Sequence, residues 1–121
     1  MATVAVILVN WKAADDTLAC IESLLQSGSA GDLHIIVVDN DSGDGSAAAI
    51  ASAYPEVELI RNSHNAGFGA ANNQGISRTL ELGLPYVFIL NNDINARHLN
   101  EMTSPLWTAV REVQATTLRQ R

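Results

Sequence analysis

Apolar runs and amphipathic stretches alternate along the chain. Three runs are continuously apolar and rich in valine and isoleucine: TVAVILV (3–9), LHIIVVD (33–39) and YVFIL (86–90). A run without polar alternation is typical of a parallel strand that helices cover on both faces. A fourth, shorter run, VELI (57–60), follows Pro55 and is predicted to be an edge or minor strand.

Helical patterns separate these strands. Residues 14–27 and 69–82 place apolar side chains on one face, and each stretch is followed by a glycine that is suited to end a helix. Residues 46–54 are rich in alanine, and Ser104–Pro105 is typical of the start of a fourth helix. The order β-α-β-α-β-α-β-α predicts an α/β fold, with a mostly parallel β-sheet flanked by helices, in one domain over residues 1–121.

Charge and composition exclude several classes of protein. The formal net charge of −6 argues against nucleic acid as a partner, because that binding depends on basic contacts to phosphates. The single cysteine, Cys20, lies in a helical apolar pattern and is expected to be a buried thiol in a reducing compartment. The first apolar run stops at Asn10, which is too short for a signal sequence or a transmembrane segment. We therefore expect a cytoplasmic protein, at most peripheral to the inner face of a membrane.

Every predicted strand ends in a polar loop. These loops are Asn10 to Lys12, Asp39 to Gly45, Arg61 to Gly69, and Asn91 to Asp93. Ligands of open parallel sheets bind at the carboxyl ends of the strands, so four polar loops on one edge predict a binding cleft. Asp39 and Asp93 offer carboxylates to a base, a ribose or a divalent cation, and the helix that begins after Asn65 offers its amides to an anion. The loops together predict a site for a nucleotide diphosphate with Mg²⁺ or Mn²⁺.

Simpler interpretations of the same residues remain open at this point. Asp39 and Asp41 are also placed to cap the second helix, and Asn65 and Gly67 are typical of a turn with a left-handed residue. Trp11 is expected to be a core or cleft-wall aromatic rather than a stacking platform. The histidines are expected to be structural or at the surface: His34, His64 and His98.

Four segments together resemble the family 2 glycosyltransferases, which bind nucleotide sugars with the Rossmann-like GT-A fold. They are VAVILVNW, IIVVDNDSGDGS, NAGFGAANNQGI and FILNNDIN, in the order and spacing of the family. The resemblance covers about Thr3 to Asn95 and leaves 96–121 as a C-terminal helical segment. Asn91 stands where the family's D-x-D motif has its first acid, which resembles the rhamnosyltransferase-like branch. Asn72 stands where many relatives carry a basic residue.

The resemblance implies an activity and a set of site residues. The activity is inverting, metal-assisted transfer of a sugar from a UDP-sugar or dTDP-sugar, such as dTDP-rhamnose, to a hydroxyl of a glycan or lipid-linked acceptor in polysaccharide or cell-surface glycan synthesis. The implied nucleotide-binding residues are Val9, Asn10, Trp11, Asp39, Asn40, Ser42, Asn65, Gly67, Phe68, Gly69, Asn73, Asn91 and Asn92. Asp93 is the implied metal ligand, with Mg²⁺ or Mn²⁺ as cofactor.

The family's later half supplies the acceptor site and the catalytic base, and no matching motif follows Asn95 in this chain. The catalytic residues are therefore unknown, and neither Glu101 nor Glu112 is assigned as the base. The alternative is a truncated, non-catalytic nucleotide-binding or interaction module with the same fold. A sheet edge left uncovered in such a chain predicts self-association as a homo-oligomer.

Two other α/β functions disagree with the pattern. A phosphoacceptor receiver domain needs acids directly after the first strand and a lysine after a fifth strand, whereas Lys12 is the only lysine. A dinucleotide-binding domain needs its glycine fingerprint after the first strand, and the loop there, NWKAADD, contains no glycine.

Overall fold

A computed structural model of the protein describes residues 2–26 and 30–90. They form four parallel strands and three helices, which confirms the predicted α/β fold. The strands are β1 (Val4–Asn10), β2 (Leu33–Asp39), β3 (Glu58–Arg61) and β4 (Tyr86–Leu90). The helices are α1 (Ala14–Gln26), α2 (Ser46–Ala53) and α3 (Phe68–Leu82), and a short 3₁₀ helix, Ala30–Asp32, precedes β2.

The strand order of the sheet is β3-β2-β1-β4, and each neighbouring pair is parallel. The run that contains β3 was predicted to be an edge or minor strand, and the edge position is confirmed. From β1 to β3 the chain moves in one direction, and it then returns past β2 and β1 to reach β4. The order therefore reverses between β1 and β4, where open α/β sheets form a crevice at the carboxyl ends of the strands.

Each face of the sheet is covered by different helices. On one face, alternate side chains of β1 and β2 pack against α1 and α2, in a core formed by Val4, Val6, Leu8, Cys20, Ile21, Leu24, Ile35, Val37 and Ile50. On the other face, α3 contributes Ala71 to a smaller core with Ala5, Val9, Ile36 and Val38. The alternation of buried side chains between two covered faces explains why β1 and β2 are apolar at almost every position.

Cys20 lies in the first core and is completely buried, as the sequence predicted. Burial, together with the nearby charge of Asp16, raises the pKa of this thiol to about 11. It is therefore a protonated, unreactive group at neutral pH.

The last strand differs from its prediction. The run YVFIL was expected to be buried on both faces, but in the sheet of the described residues β4 is an edge strand, with Val87 38% and Ile89 48% exposed. Its alternate side chains, Tyr86, Phe88 and Leu90, pack against the core on the α1 side. The reason is the position of α3, whose Ala71 packs on β1 and β2, so that the α3 face of β4 is left open.

Two glycines of α3 fix how it lies on the sheet. Gly83 ends the helix in the left-handed conformation with φ 71°, as predicted. A Cβ atom at Gly75 would lie 2.7 Å from Cγ2 of Ile7, so α3 can approach β1 this closely only because Gly75 has no side chain.

Gly28 and the helix predicted from Ser104–Pro105 lie outside the described residues. In the parts of the chain described, no helix has the length and apolar character to cross a membrane.

Candidate functional site

The carboxylate of Asp39 is at the centre of a buried polar network where β1 and β2 end. Its Oδ1 accepts hydrogen bonds from Asn10 Nδ2 at 2.8 Å and from Ser42 Oγ at 2.6 Å, and its Oδ2 accepts one from the backbone N–H of Ser42 at 3.2 Å. Asp39 is 4% exposed. A carboxylate has about four acceptor positions, so Oδ2 retains one for a further donor.

Asn10 fixes this arrangement from the end of β1. It is completely buried, and its Oδ1 accepts a hydrogen bond from Thr17 Oγ1 of α1 at 2.6 Å. Its Nδ2 also contacts Ser42 Oγ at 3.2 Å, and the backbone N–H of Lys12 donates to the same hydroxyl at 2.9 Å. The side chain of Asn10 is therefore occupied by internal partners, and its effect on a ligand is to hold Asp39 in place.

A second network holds the loop between β3 and α3. Asn62 and Gln74 exchange two side-chain hydrogen bonds of 2.8 Å, and Asn62 Nδ2 also donates to Asn40 Oδ1 at 2.9 Å. Asn40 in turn donates from Nδ2 to the carbonyl of Gly67 at 3.1 Å and accepts from the backbone N–H of Ala66 at 3.3 Å. The loop before α3 is thereby tied to the end of β2.

A turn formed by Asn65 to Gly67 leads directly into the N-terminus of α3 at Phe68. Asn65 Oδ1 accepts a hydrogen bond from the backbone N–H of Gly67 at 2.9 Å, and Gly67 has φ 88°, a left-handed value that favours glycine. The turn interpretation of these two residues is confirmed, and so is the prediction that a helix begins here. Asn65, Gly67, Phe68, Gly69 and Asn73 are all exposed in this segment.

Two aromatic side chains are exposed beside these networks. Trp11, directly after β1, is 51% exposed, and Phe68, at the start of α3, is 57% exposed. The ammonium of Lys12 lies 4.9 Å from the centroid of the Trp11 ring. Trp11 is therefore not a core residue, which leaves the cleft-wall and stacking-platform interpretations. Val9, in contrast, is 8% exposed and belongs to the core under α3.

The interpretation that Asp39 and Asp41 cap the second helix is wrong. The backbone N–H of Ser46, at the start of α2, donates instead to Asp44 Oδ1 at 3.0 Å. Hydrogen bonds from Ser46 lower the pKa of Asp44. Asp39 is engaged with Asn10 and Ser42, while Asp41 is exposed and has the left-handed φ of 58°.

An open cavity of about 400 Å³ lies beside Lys12 on the side of α1. Its lining includes three carboxylates, those of Asp15, Asp16 and Asp44, and one basic side chain, Lys12. The excess of negative charge opposes a diphosphate in this cavity. Of the two sides of the edge, the start of α3 is the better place for an anion.

Three of the residues predicted to bind donor and metal, Asn91, Asn92 and Asp93, lie outside the described residues. Within residues 2–26 and 30–90, no group of three or more His, Cys, Asp or Glu side chains is arranged to hold a metal ion. Sequence reasoning missed Thr17 and Gln74, and it named Asn62 only as a loop residue. Gln74 lies within the segment NAGFGAANNQGI but was given no role there, and a threonine in a helix carries no pattern that marks the hydrogen bond of Thr17 to Asn10.

Comparison with known proteins agrees with this geometry. Residues 5–98 match the family described as Glycosyl transferase family 2. No curated protein matches the chain. Among solved structures, the chain is similar to the mannosyltransferase PcManGT from Pyrobaculum calidifontis in complex with GDP-Man and Mn²⁺, with 22% identity and a TM-score of 0.56 over 63% of this chain.

It is also similar to residues 1–349 of TarS from S. aureus, with 19% identity and a TM-score of 0.63 over 86% of this chain. The structure of TarS with UDP-GlcNAc gives 18% identity and a TM-score of 0.61. At these identities the likeness establishes the fold alone. The chain spans 24% of the length of the PcManGT chain, 32% of the TarS chain and 30% of the TarS chain with UDP-GlcNAc.

Proposed function

Because the chain belongs to glycosyl transferase family 2, we propose that it binds a nucleotide-diphosphate sugar at the carboxyl edge of its sheet and serves the transfer of that sugar to an acceptor hydroxyl. The observation that carries this proposal is the Asp39 carboxylate, which is buried, held by neutral donors and left with an acceptor position on Oδ2. An N–H of a pyrimidine base or a ribose hydroxyl fits that position. The exposed Trp11 then forms the wall beside the base, Val9 and Asn10 support it from the end of β1, and Asn40 and Ser42 lie beside Asp39.

The diphosphate is proposed to lie against the first turn of α3. The unpaired backbone N–H groups and the positive end of a helix dipole favour an anion at this point. The internal bonds of Asn40 and Asn65 hold the loop that leads into the helix. Gly67, Gly69 and Asn73 are exposed there, and the cavity on the α1 side is lined with acids instead.

Asp93 is proposed as the ligand of Mg²⁺ or Mn²⁺, with Asn91 and Asn92 beside the donor. In the sequence, Asp93 follows Leu90, the last residue of β4, by three positions. Leu90 pairs with Leu8 of β1, two residues before Asn10. A carboxylate in this region suits a hard cation that is also held by the donor's phosphates. When bound, the metal would neutralise charge on the leaving diphosphate.

The proposed reaction forms a bond from the acceptor oxygen to the anomeric carbon as the bond from that carbon to the diphosphate oxygen breaks, with inversion. A general base takes the proton of the acceptor hydroxyl, and we assign no residue to that role. The proposed donor is a UDP-sugar or dTDP-sugar, with dTDP-rhamnose among the candidates, and the acceptor a glycan or lipid-linked hydroxyl in polysaccharide synthesis in the cytoplasm. The structure of TarS with UDP-GlcNAc supports a uridine donor, whereas that of PcManGT with GDP-Man and Mn²⁺ supports testing a guanosine donor too.

A second candidate function is a nucleotide-binding or interaction module without catalysis. It is favoured by the partly exposed apolar side chains of β4, with Val87 38% and Ile89 48% exposed, which offer a contact to a partner. In this case a partner, or a second copy of the chain, associates with the exposed edge of the sheet.

Calorimetric titration of the purified chain tests both candidates. The ligands are UDP, dTDP, UDP-GlcNAc, dTDP-rhamnose and GDP-mannose, each with and without Mn²⁺. Asp39→Asn keeps the shape of the site but removes its charge, and we expect it to abolish measurable binding, whereas Asp93→Ala removes only the part of the affinity that depends on metal. Glu56→Gln, an exposed carboxylate before β3, is the matched control.

A ligand at 100 times its Kd should also stabilise the fold by about 2.7 kcal/mol, which a thermal shift will detect. Binding that survives Asp39→Asn would contradict the placement of the base. Failure of every nucleotide to bind the wild-type chain would overturn the proposed donor site. Sugar transfer by the chain alone, to a hydroxyl acceptor, would exclude the module without catalysis.

A further inference from the structure

Among the residues that the structure describes, one buried side-chain polar atom has no hydrogen-bond partner, Oδ1 of Asn72. Asn72 itself is 6% exposed. A buried acceptor without a donor is costly for the fold, and most such groups in folded proteins are paired. The nearby amides of Asn40, Asn62 and Gln74 are all paired, so the exception needs an explanation.

The position of Asn72 on α3 directs it towards the carboxyl edge of the sheet. Gly75 lies against Ile7 of β1, and Asn72 is one helical turn nearer to the start of the helix. Side chains of a helix lean towards its N-terminus, and the N-terminus of α3 lies at the edge where β2 and β3 end. The amide of Asn72 therefore leans towards the proposed donor site.

The bond of Gln74 also shows on which side of α3 the side chain of Asn72 lies. Gln74 bonds Asn62, just after β3, and two residues correspond to about 200° of helical turn. Asn72 therefore lies on the flank of α3 away from β3, towards β1 and β4, where the order of the strands reverses. Rotation about χ2, which is broad for asparagine, can present its oxygen to a ligand without moving the helix.

The chemistry of the unpaired atom selects its ligand. An amide oxygen needs a donor, and an ionised diphosphate has none. The hydroxyl groups of a sugar are donors, whereas the base and ribose are proposed to lie at Asp39. We propose that Asn72 is a specificity-determining residue that accepts a hydrogen bond from a hydroxyl of the transferred sugar. This inference rests on the proposed function, and it adds a contact to the sugar itself.

The test compares the sugar-bearing donor with the same nucleotide without its sugar. Asn72→Leu preserves the size of the side chain and removes its polar atoms, and Asn72→Ala serves if leucine prevents folding. Ser77→Ala, at an exposed position of α3, is the control. The affinities for UDP-GlcNAc, dTDP-rhamnose and GDP-mannose are measured by calorimetry beside those for UDP, dTDP and GDP.

We expect Asn72→Leu to raise the Kd of the nucleotide sugar about tenfold and to leave the Kd of the nucleoside diphosphate unchanged. The Tm without ligand should stay the same or rise, because an unpaired buried polar atom has been removed. A residue with a merely structural role would instead lower the Tm and weaken both ligands together.

Equal weakening of nucleotide sugar and nucleoside diphosphate would overturn the inference, and so would unchanged binding of both. Either result leaves the proposed function standing, because the wild-type chain still binds. If the wild-type chain binds no nucleotide sugar, the proposed function and this inference fall together.

Discussion

Two carboxylates, one at each end of the pairing between β2 and β3, are held in opposite ways. Asp39, at the carboxyl end of β2, is 4% exposed and bonds only neutral donors, from Asn10 and Ser42. Glu58, at the start of β3, accepts hydrogen bonds from Arg78 Nε at 2.6 Å and from His34 Nε2 at 3.2 Å. In the described part of the chain, ion pairs form at Glu58 and none at Asp39.

The difference separates a structural charge from one that is available to a ligand. A partly exposed carboxylate paired with a guanidinium is neutralised and contributes modestly to stability. A buried carboxylate held by neutral donors is oriented, and it has no cationic partner within the described residues. Asp39 therefore retains an acceptor position on Oδ2 for a donor or a cation. In Glu58, by contrast, one carboxylate oxygen is paired with His34 and the other with Arg78.

Of the substitutions that test this difference, removal of the Asp39 carboxylate should lower the stability of the protein most. Asp39→Ala leaves the hydroxyl and the backbone N–H of Ser42 without their acceptor and removes one of two acceptors of Asn10 Nδ2, and we expect the free energy of unfolding to fall by about 3 kcal/mol. Urea denaturation measures this loss. Glu58→Ala is the matched control and should lose much less, because its partners remain partly in water; equal losses would contradict the distinction.

A smaller effect is expected one step away from Asp39. Thr17→Val removes the hydroxyl that bonds Asn10 Oδ1 and should cost about 1 to 2 kcal/mol, because a buried acceptor loses its donor. Thr79→Val is the control on α3, since the Thr79 hydroxyl donates to the carbonyl of Gly75, which is within the helix. The two variants are compared by urea denaturation, and a Thr79→Val loss as large as that of Thr17→Val would argue against a special role for Asn10.

The smallest expected effect is the dependence on pH of the contribution that Glu58 makes to stability. Burial alone would raise the pKa of Glu58, but hydrogen bonds from Arg78 and His34 outweigh it, so that the pKa lies below its usual value. A carboxyl group whose pKa falls on folding stabilises the protein above its unfolded pKa, about 4.3, and this contribution disappears as the pH falls through the folded pKa.

Glu58→Gln should therefore lower the Tm by a few degrees at most at pH 7, and its difference from wild type should shrink between about pH 5 and pH 3. Thermal unfolding at several pH values, in matched ionic strength, measures the difference. A gap that grows towards low pH would show that the sign is wrong.

The sequence predicted most of the backbone and part of the site. The strands β1 and β2 are apolar on both faces because helices cover both, and that pattern is visible in the chain. The same pattern in YVFIL was misleading, since Val87 and Ile89 are partly exposed in the described part of the chain, and no periodicity in a five-residue run distinguishes an edge strand from a central one. The position of Asp39 followed from the end of a strand, whereas the hydrogen bond from Thr17 to Asn10, which holds the partner of Asp39, became visible only in three dimensions.

The contact between Gly75 and Ile7 has a consequence for sequence variation. It sets the height of α3 above the sheet, and therefore the depth of the crevice at the start of that helix. A larger residue at position 75 is compatible with this depth only if position 7 becomes smaller, such as Ile to Val or Ala. Substitutions at positions 75 and 7 should therefore occur together in the evolution of this fold. A gain of side-chain volume at one position should be matched by a loss at the other, so that the distance between helix and sheet is preserved.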